Sequence, residues 1–205
     1  MTSSRAAKTA VVLIGFQNDY FDPDGILSGA LEDRPWCDQM LSSTVGVLQA
    51  LVDEPVLMIS TPIVFTEDYS ELVQPTGILK TIKETGAFKS GCAGARTIDE
   101  LQAFGDRIVE VPGKRGLNAF SNTELDSLLR DHGVEHVALA GVVTSICIDS
   151  TGRAAHEQGY QVTVLSDCTA GRTTFEQEFY CESVFPIYAE VTDSSQFLSE
   201  LSEAS

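Results

Sequence analysis

Residues 134–166, VEHVALAGVVTSICIDSTGRAAHEQGYQVTVLS, decide the fold. Val134 to Gly141 is an apolar run of strand length that closes on a glycine. A helix follows from about Thr144 to Gln158 and stops at Gly159, and Tyr160 to Ser166 is a second apolar run. Two strands joined through a helix must lie parallel, because the crossover brings the chain back to the same sheet edge.

The pattern repeats outward in both directions. Thr9 to Phe16 (TAVVLIGF) is a continuous β-branched run, as expected of a strand buried on both faces. Cys37 to Val52 carries apolar residues along one helical face and ends before Pro55; Val56 to Ser60 and Arg107 to Val111 read as further strands. Asn122 to His132, Phe175 to Ser183 and Ser194 to Leu201 suit helices, and Ile187 to Val191 a short last strand. The alternation predicts an α/β, Rossmann-like three-layer sandwich: a mostly parallel sheet of about six strands with helices on both faces. Residues 1–205 read as a single domain, since no repeat, low-complexity tract or linker interrupts them. The least regular part is Thr61 to Thr97, long enough for a lid or specificity loop.

Composition narrows the function. Thirteen Lys and Arg stand against 30 Asp and Glu, a net charge of −17. Nucleic acid and anionic membranes are thereby disfavoured as partners, because a polyanion would be repelled. The chain has no apolar run long enough to span a bilayer and no signal-like start, so a cytoplasmic location is expected. Five scattered cysteines (Cys37, Cys92, Cys147, Cys168, Cys181) form no CxxC pair or Cys/His metal spacing, which argues against a disulfide framework or structural zinc.

In parallel sheets ligands bind beyond the carboxyl ends of the strands, so the segments after Phe16, Ser60, Val111, Gly141 and Ser166 are where chemistry is sought. Cys147 lies there, at the start of a helix. The helix dipole favours its thiolate, and free N–H groups of the first turn are suited to hold an oxyanion. Lys114, in Lys114-Arg-Gly-Leu-Asn-Ala-Phe120, falls at the same edge, where it could lower the thiol pKa, orient a carbonyl or neutralise a tetrahedral intermediate. Read singly, each residue has an unremarkable alternative, a buried structural thiol and a solvated loop lysine.

Together, KRGLNAF (114–120), GVVTSIC (141–147) and QNDY (17–20) resemble the isochorismatase-like cysteine hydrolases, a family that includes nicotinamidases, N-carbamoyl amide hydrolases and isochorismatases. The resemblance spans roughly residues 8 to 192. It implies an Asp, Lys, Cys triad in which the aspartate takes the thiol proton, the thiolate attacks an amide carbonyl, an amine leaves and water hydrolyses the thioester. On this resemblance Lys114 is the triad lysine and Cys147 the nucleophile. A cis peptide is implied between Val142 and Val143, with the N–H groups of Val143 and Cys147 forming the oxyanion hole. Phe16, Gln17, Phe65 and Phe120 are expected around the pocket. Self-association as a dimer or tetramer is implied too.

The departure from the family pattern is at the first strand. Where that pattern reads Asp-x-Gln-Asn-Asp-Phe, this chain has Gly15-Phe16-Gln17-Asn18-Asp19-Tyr20, so the triad aspartate is a glycine. Asp19 lies four residues on, and none of the three histidines is well placed; Glu67 and Asp68 are the candidate substitute carboxylates. The metal ligands of the nicotinamidase branch are also missing from residues 61–74, so no metal or other cofactor is expected. The expectation is a metal-independent hydrolase of a small amide, carbamoyl or related substrate acting through Cys147. The alternative is a non-catalytic relative that keeps the pocket to bind a small molecule or a protein, and a redox-sensing thiol is a third reading.

Overall fold

A computed structural model describes residues 4–203. Its centre is a six-stranded sheet in the order β3-β2-β1-β4-β5-β6. The strands are β1 (Thr9–Ile14), β2 (Leu57–Thr61), β3 (Ile108–Glu110), β4 (His136–Val142), β5 (Gln161–Ala170) and β6 (Glu190–Thr192). Every neighbouring pair is parallel. Eight α-helices accompany them among the described residues: α1 (Asn18–Phe21), α2 (Arg34–Ala50), α3 (Gly77–Thr85), α4 (Asp99–Gln102), α5 (Leu125–Asp131), α6 (Asp149–Glu157), α7 (Thr174–Phe179) and α8 (Ser194–Glu203).

The wholly buried β1 shows how the layers are made. Side chains alternate across a strand, so Val11 and Leu13 face one side, against Met40, Val47 and Leu48 of α2 and Phe197 and Leu201 of α8. Ala10, Val12 and Ile14 face the other, with Leu125 and Leu129 of α5 and Ala155 of α6. Both faces of the sheet are thus sealed, as a parallel sheet requires. None of the described helices is long and apolar enough to cross a membrane.

Several boundaries differ from the sequence reading for local reasons. Helix α2 begins earlier, at Arg34, because the Asp33 carboxylate accepts a hydrogen bond from the Trp36 N–H and Pro35 fits a first helical turn. Strand β5 runs on to Ala170: an irregularity between Leu139 and Gly141 shifts its register, so that Gly141 and Val142 pair with Thr169 and Ala170. The irregular excursion contains a full helix, α3, ended by Gly86 in the left-handed conformation that glycine tolerates best.

Candidate active site

The strand order reverses direction between β1 and β4, and the candidate residues Gly15 and Cys147 lie just beyond the carboxyl ends of these two strands. Gly15 directly follows β1. Val143 to Cys147 directly follow β4, in one wide π-turn where Val143 accepts from both the Ile146 N–H (3.0 Å) and the Ile148 N–H (3.2 Å). Wide turns of this kind often mark functional sites, here setting Cys147 just ahead of α6. The Val142–Val143 peptide is cis.

The turn is pinned from α7. Thr144 Oγ1 donates to Gln177 Oε1 at 2.5 Å and Ser145 Oγ donates to Glu176 Oε1 at 2.6 Å. Gln177 Nε2 in turn donates to Ser166 O and Thr169 Oγ1, anchoring the arrangement to β5.

Lys114 reaches the thiol from the loop after β3. It pairs by a parallel bridge with Ile63 beyond β2, and further along its loop the Ala119 N–H donates to Thr151 Oγ1 of α6 at 3.0 Å. These ties bring Lys114 Nζ to 3.6 Å from Cys147 Sγ, with the lysine 1% and the cysteine 8% exposed. Lys114 has no ion-pair partner among the described residues, and this is the only hydrogen bond there to the Cys147 sulfur. Elsewhere in the chain, burial pushes the Cys37 and Cys168 thiols up, and burial then Glu182 push Cys181 up to about 11.

No described carboxylate lies within hydrogen-bonding reach of Cys147. Glu67 and Asp68 are exposed, in a turn that closes on itself. The Asp68 carboxylate accepts from Thr66 Oγ1 (2.9 Å) and the Ser70 N–H (3.1 Å), which hold its pKa below the usual range. The structure therefore does not bring these two residues to the thiol. Asp19 is equally occupied, accepting from the Ile26 N–H and, at 2.6 Å, from the Phe88 N–H. Position 15 is closed to a side chain as it stands: Gly15 has φ +76°, and a Cβ there would lie 2.6 Å from the Val142 carbonyl oxygen.

A small cavity of about 10 Å³, on the scale of one water, adjoins the thiol. Gly15, Tyr20, Lys114 and Cys147 line it, and Ile78, Leu79 and Ile82 of α3 contribute apolar walls. The four expected pocket residues are not among its lining. Gln17 spends its whole amide on backbone, donating to Ile63 O and Ala95 O and accepting from the Ile63 N–H. Phe16 stacks on Phe21, Phe65 is fully buried against Tyr69, and Phe120 stacks on Tyr160. Tyr20 and the α3 residues are the ones sequence reasoning missed. The i, i+1, i+4 spacing of Ile78, Leu79 and Ile82 is the signal that would have exposed α3 as a one-faced helix.

A family model for the isochorismatase domain matches residues 9–196. The chain belongs to the isochorismatase-like hydrolase family. Among the members of this family it resembles, the ureidoacrylate amidohydrolase RutB of Caulobacter segnis is 29% identical over 173 residues, 78% of this chain and 72% of that protein. A cysteine hydrolase from Pseudomonas syringae pv. phaseolicola shares the fold with a TM-score of 0.82 at 21% identity, over 98% of this chain and 95% of its own. The N-carbamoylsarcosine amidase of Thermoplasma acidophilum does so with a TM-score of 0.72 at 22% identity, over 91% of this chain and 96% of its own. The α/β isochorismatase-like fold expected from the sequence is thus the fold observed. Among the described residues, no group of three or more His, Cys, Asp or Glu side chains is arranged to hold a metal ion.

Proposed function

We propose that this chain is a metal-independent cysteine hydrolase of small amide, carbamoyl or related acyl substrates, with Cys147 as nucleophile and Lys114 as its proton partner. The observation that carries this reading is the 3.6 Å contact between Lys114 Nζ and Cys147 Sγ, buried together beside one cavity with no carboxylate in reach. The amidohydrolase and amidase relatives support the substrate class.

In a buried site a lone charge is costly, so the two favoured states of the pair are thiol with amine and thiolate with ammonium. The proton shifts from sulfur to Lys114, and the thiolate attacks the carbonyl carbon. The oxyanion is received by the N–H groups of Val143 and Cys147, at the helix end where backbone donors are available. As the tetrahedral intermediate collapses, the C–N bond breaks and the leaving nitrogen takes the proton back from Lys114. Water then attacks the thioester, Lys114 accepts its proton, and the carboxylic acid product leaves as the thiolate is restored. Lys114 thereby stands in for the aspartate that position 15 lacks. A cavity of about 10 Å³ admits little, so a substrate enters by displacing apolar side chains of α3.

Turnover of a panel of small amides and carbamoyl compounds tests this reading. Cys147→Ala is expected to abolish it, and retained turnover overturns it.

The second reading, a non-catalytic relative that binds a small molecule or a protein, is favoured by the missing carboxylate at Gly15. It predicts that Cys147 reacts with iodoacetamide at the rate of an ordinary free thiol and that the panel gives no turnover. For the assembly we retain a homo-oligomer, dimer or tetramer, supported by the exposed apolar side chains of Phe175, Phe179 and Ile187. A cytoplasmic location, and partners that include neither nucleic acid nor membrane, complete the proposal. Light scattering reads the assembly directly.

A further inference from the structure

One polar group in the cavity beside Cys147 takes no part in the reaction above. Tyr20, from α1, is 6% exposed, and its ring packs tilted against Phe88 with a centroid distance of 5.2 Å. Its backbone carbonyl accepts from Arg34, but its hydroxyl makes no hydrogen bond to any described residue. That hydroxyl is not wholly sealed off, unlike the unpartnered Nδ1 of His136 and Oγ1 of Thr192, and so is left free to donate to a bound group. Burial, and after it the nearby Cys147 and Asp19, push the Tyr20 pKa well above the ordinary tyrosine range, so the phenol is held as a donor.

The polar side chains among the residues lining the cavity are then those of Tyr20, Lys114 and Cys147, with no carboxylate, among apolar walls. Both departures from the pattern Asp-x-Gln-Asn-Asp-Phe line this one cavity. At Gly15 an acceptor is missing, and at Tyr20 a donor is present. A substrate anchored by its N–H groups would find no carboxylate to receive them. One carrying an acceptor oxygen would find two donors.

Resting on the hydrolase reading, we infer that Tyr20 is a specificity-determining residue whose hydroxyl donates to an anionic or oxo oxygen on the acyl part of the substrate. The site therefore prefers small acyl compounds bearing a carboxylate or keto group over neutral ones of the same size.

The test compares alkylation of Cys147 by iodoacetate and by iodoacetamide. In each, the sulfur forms a bond to the methylene carbon as iodide departs, and the reagents differ in an anionic or a neutral acyl end. Rates are read from the mass of the Cys147 peptide in the wild type and in Tyr20→Phe, which removes one oxygen. Tyr20→Phe is expected to slow iodoacetate about tenfold, because hydrogen bonds to charged acceptors are the stronger ones, and to change iodoacetamide by less than about twofold. A second arm, independent of thiol chemistry, measures calorimetric binding of oxamate and of acetamide to Cys147→Ala with and without Tyr20→Phe. Oxamate affinity is expected to fall about tenfold and acetamide affinity to stay unchanged. Equal effects on both reagents, or unchanged oxamate affinity, overturn the inference. If Cys147 in the wild type reacts with neither reagent, the hydrolase reading fails, and the oxamate arm alone decides the role of Tyr20.

Discussion

A Cβ placed on Gly15 would sit 2.6 Å from the carbonyl oxygen of Val142, the last residue of β4, just before the turn that carries Cys147. With φ at +76°, residue 15 also occupies backbone space that side-chain-bearing residues rarely adopt. The absence of a side chain at position 15 is therefore built into the backbone where β1 meets β4, and a carboxylate cannot be placed there by a simple exchange. Gly15→Asp is expected to lower stability by about 2 kcal/mol or more and to give no gain in turnover. Urea midpoints together with the amide panel check this; a more active variant of unchanged stability would show that a carboxylate fits there after all.

Lys114 is the only partner of the Cys147 sulfur among the described residues. Lys114→Gln keeps the length and polarity of the side chain but cannot carry the proton. Turnover is expected to fall by about 10²–10⁴-fold, the usual worth of general acid–base help. Cys147 alkylation by iodoacetamide at neutral pH is expected to slow in parallel, whereas unaltered alkylation would separate Lys114 from thiol activation.

At the opposite edge of the sheet, His136 makes one hydrogen bond, between Nε2 and Thr163 Oγ1 at 2.7 Å, and its Nδ1 has no partner among the described residues. Burial, reinforced by Arg5, lowers its pKa to about 4. Above about pH 6.5 the imidazole is neutral in both folded and unfolded chains and stability does not depend on it. Between about 6.5 and about 4 only the unfolded chain takes the proton, so stability falls as pH falls, by roughly 3 kcal/mol over the window. Urea midpoints across that range should decline steeply in the wild type and less so in His136→Gln. Parallel slopes would assign the decline to carboxylates instead.

The contrast between Cys147 and Phe65 shows what the sequence made legible. The apolar runs of β1 and β4 fix where strands end, and ligands in such sheets gather at those ends, so Cys147 and Lys114 were readable as a pair from spacing and family pattern. Phe16, Phe65 and Phe120 were not separable from core, because an aromatic side chain leaves the same mark on a sequence whether it walls a pocket or fills an interior. Gln17 failed differently: its amide is consumed by Ile63 and Ala95, both distant in sequence. Asp68 lay at the correct edge but is turned outward by bonds to its own neighbours, Thr66 and Ser70, a local competition that position along the strand does not reveal. Tyr20 matters because of what surrounds it in space, Gly15, Lys114 and Cys147, three residues drawn from three separate loops.

In the proposed reaction an acyl group passes through the sulfur of Cys147. Mass spectrometry of the protein, acid-quenched during turnover of a reactive small amide, reads that step directly. A mass gain equal to the acyl group is expected on the peptide containing Cys147, absent in Cys147→Ala and slower to form in Lys114→Gln. Turnover that proceeds with no acyl adduct on that peptide and survives Cys147→Ala would contradict it.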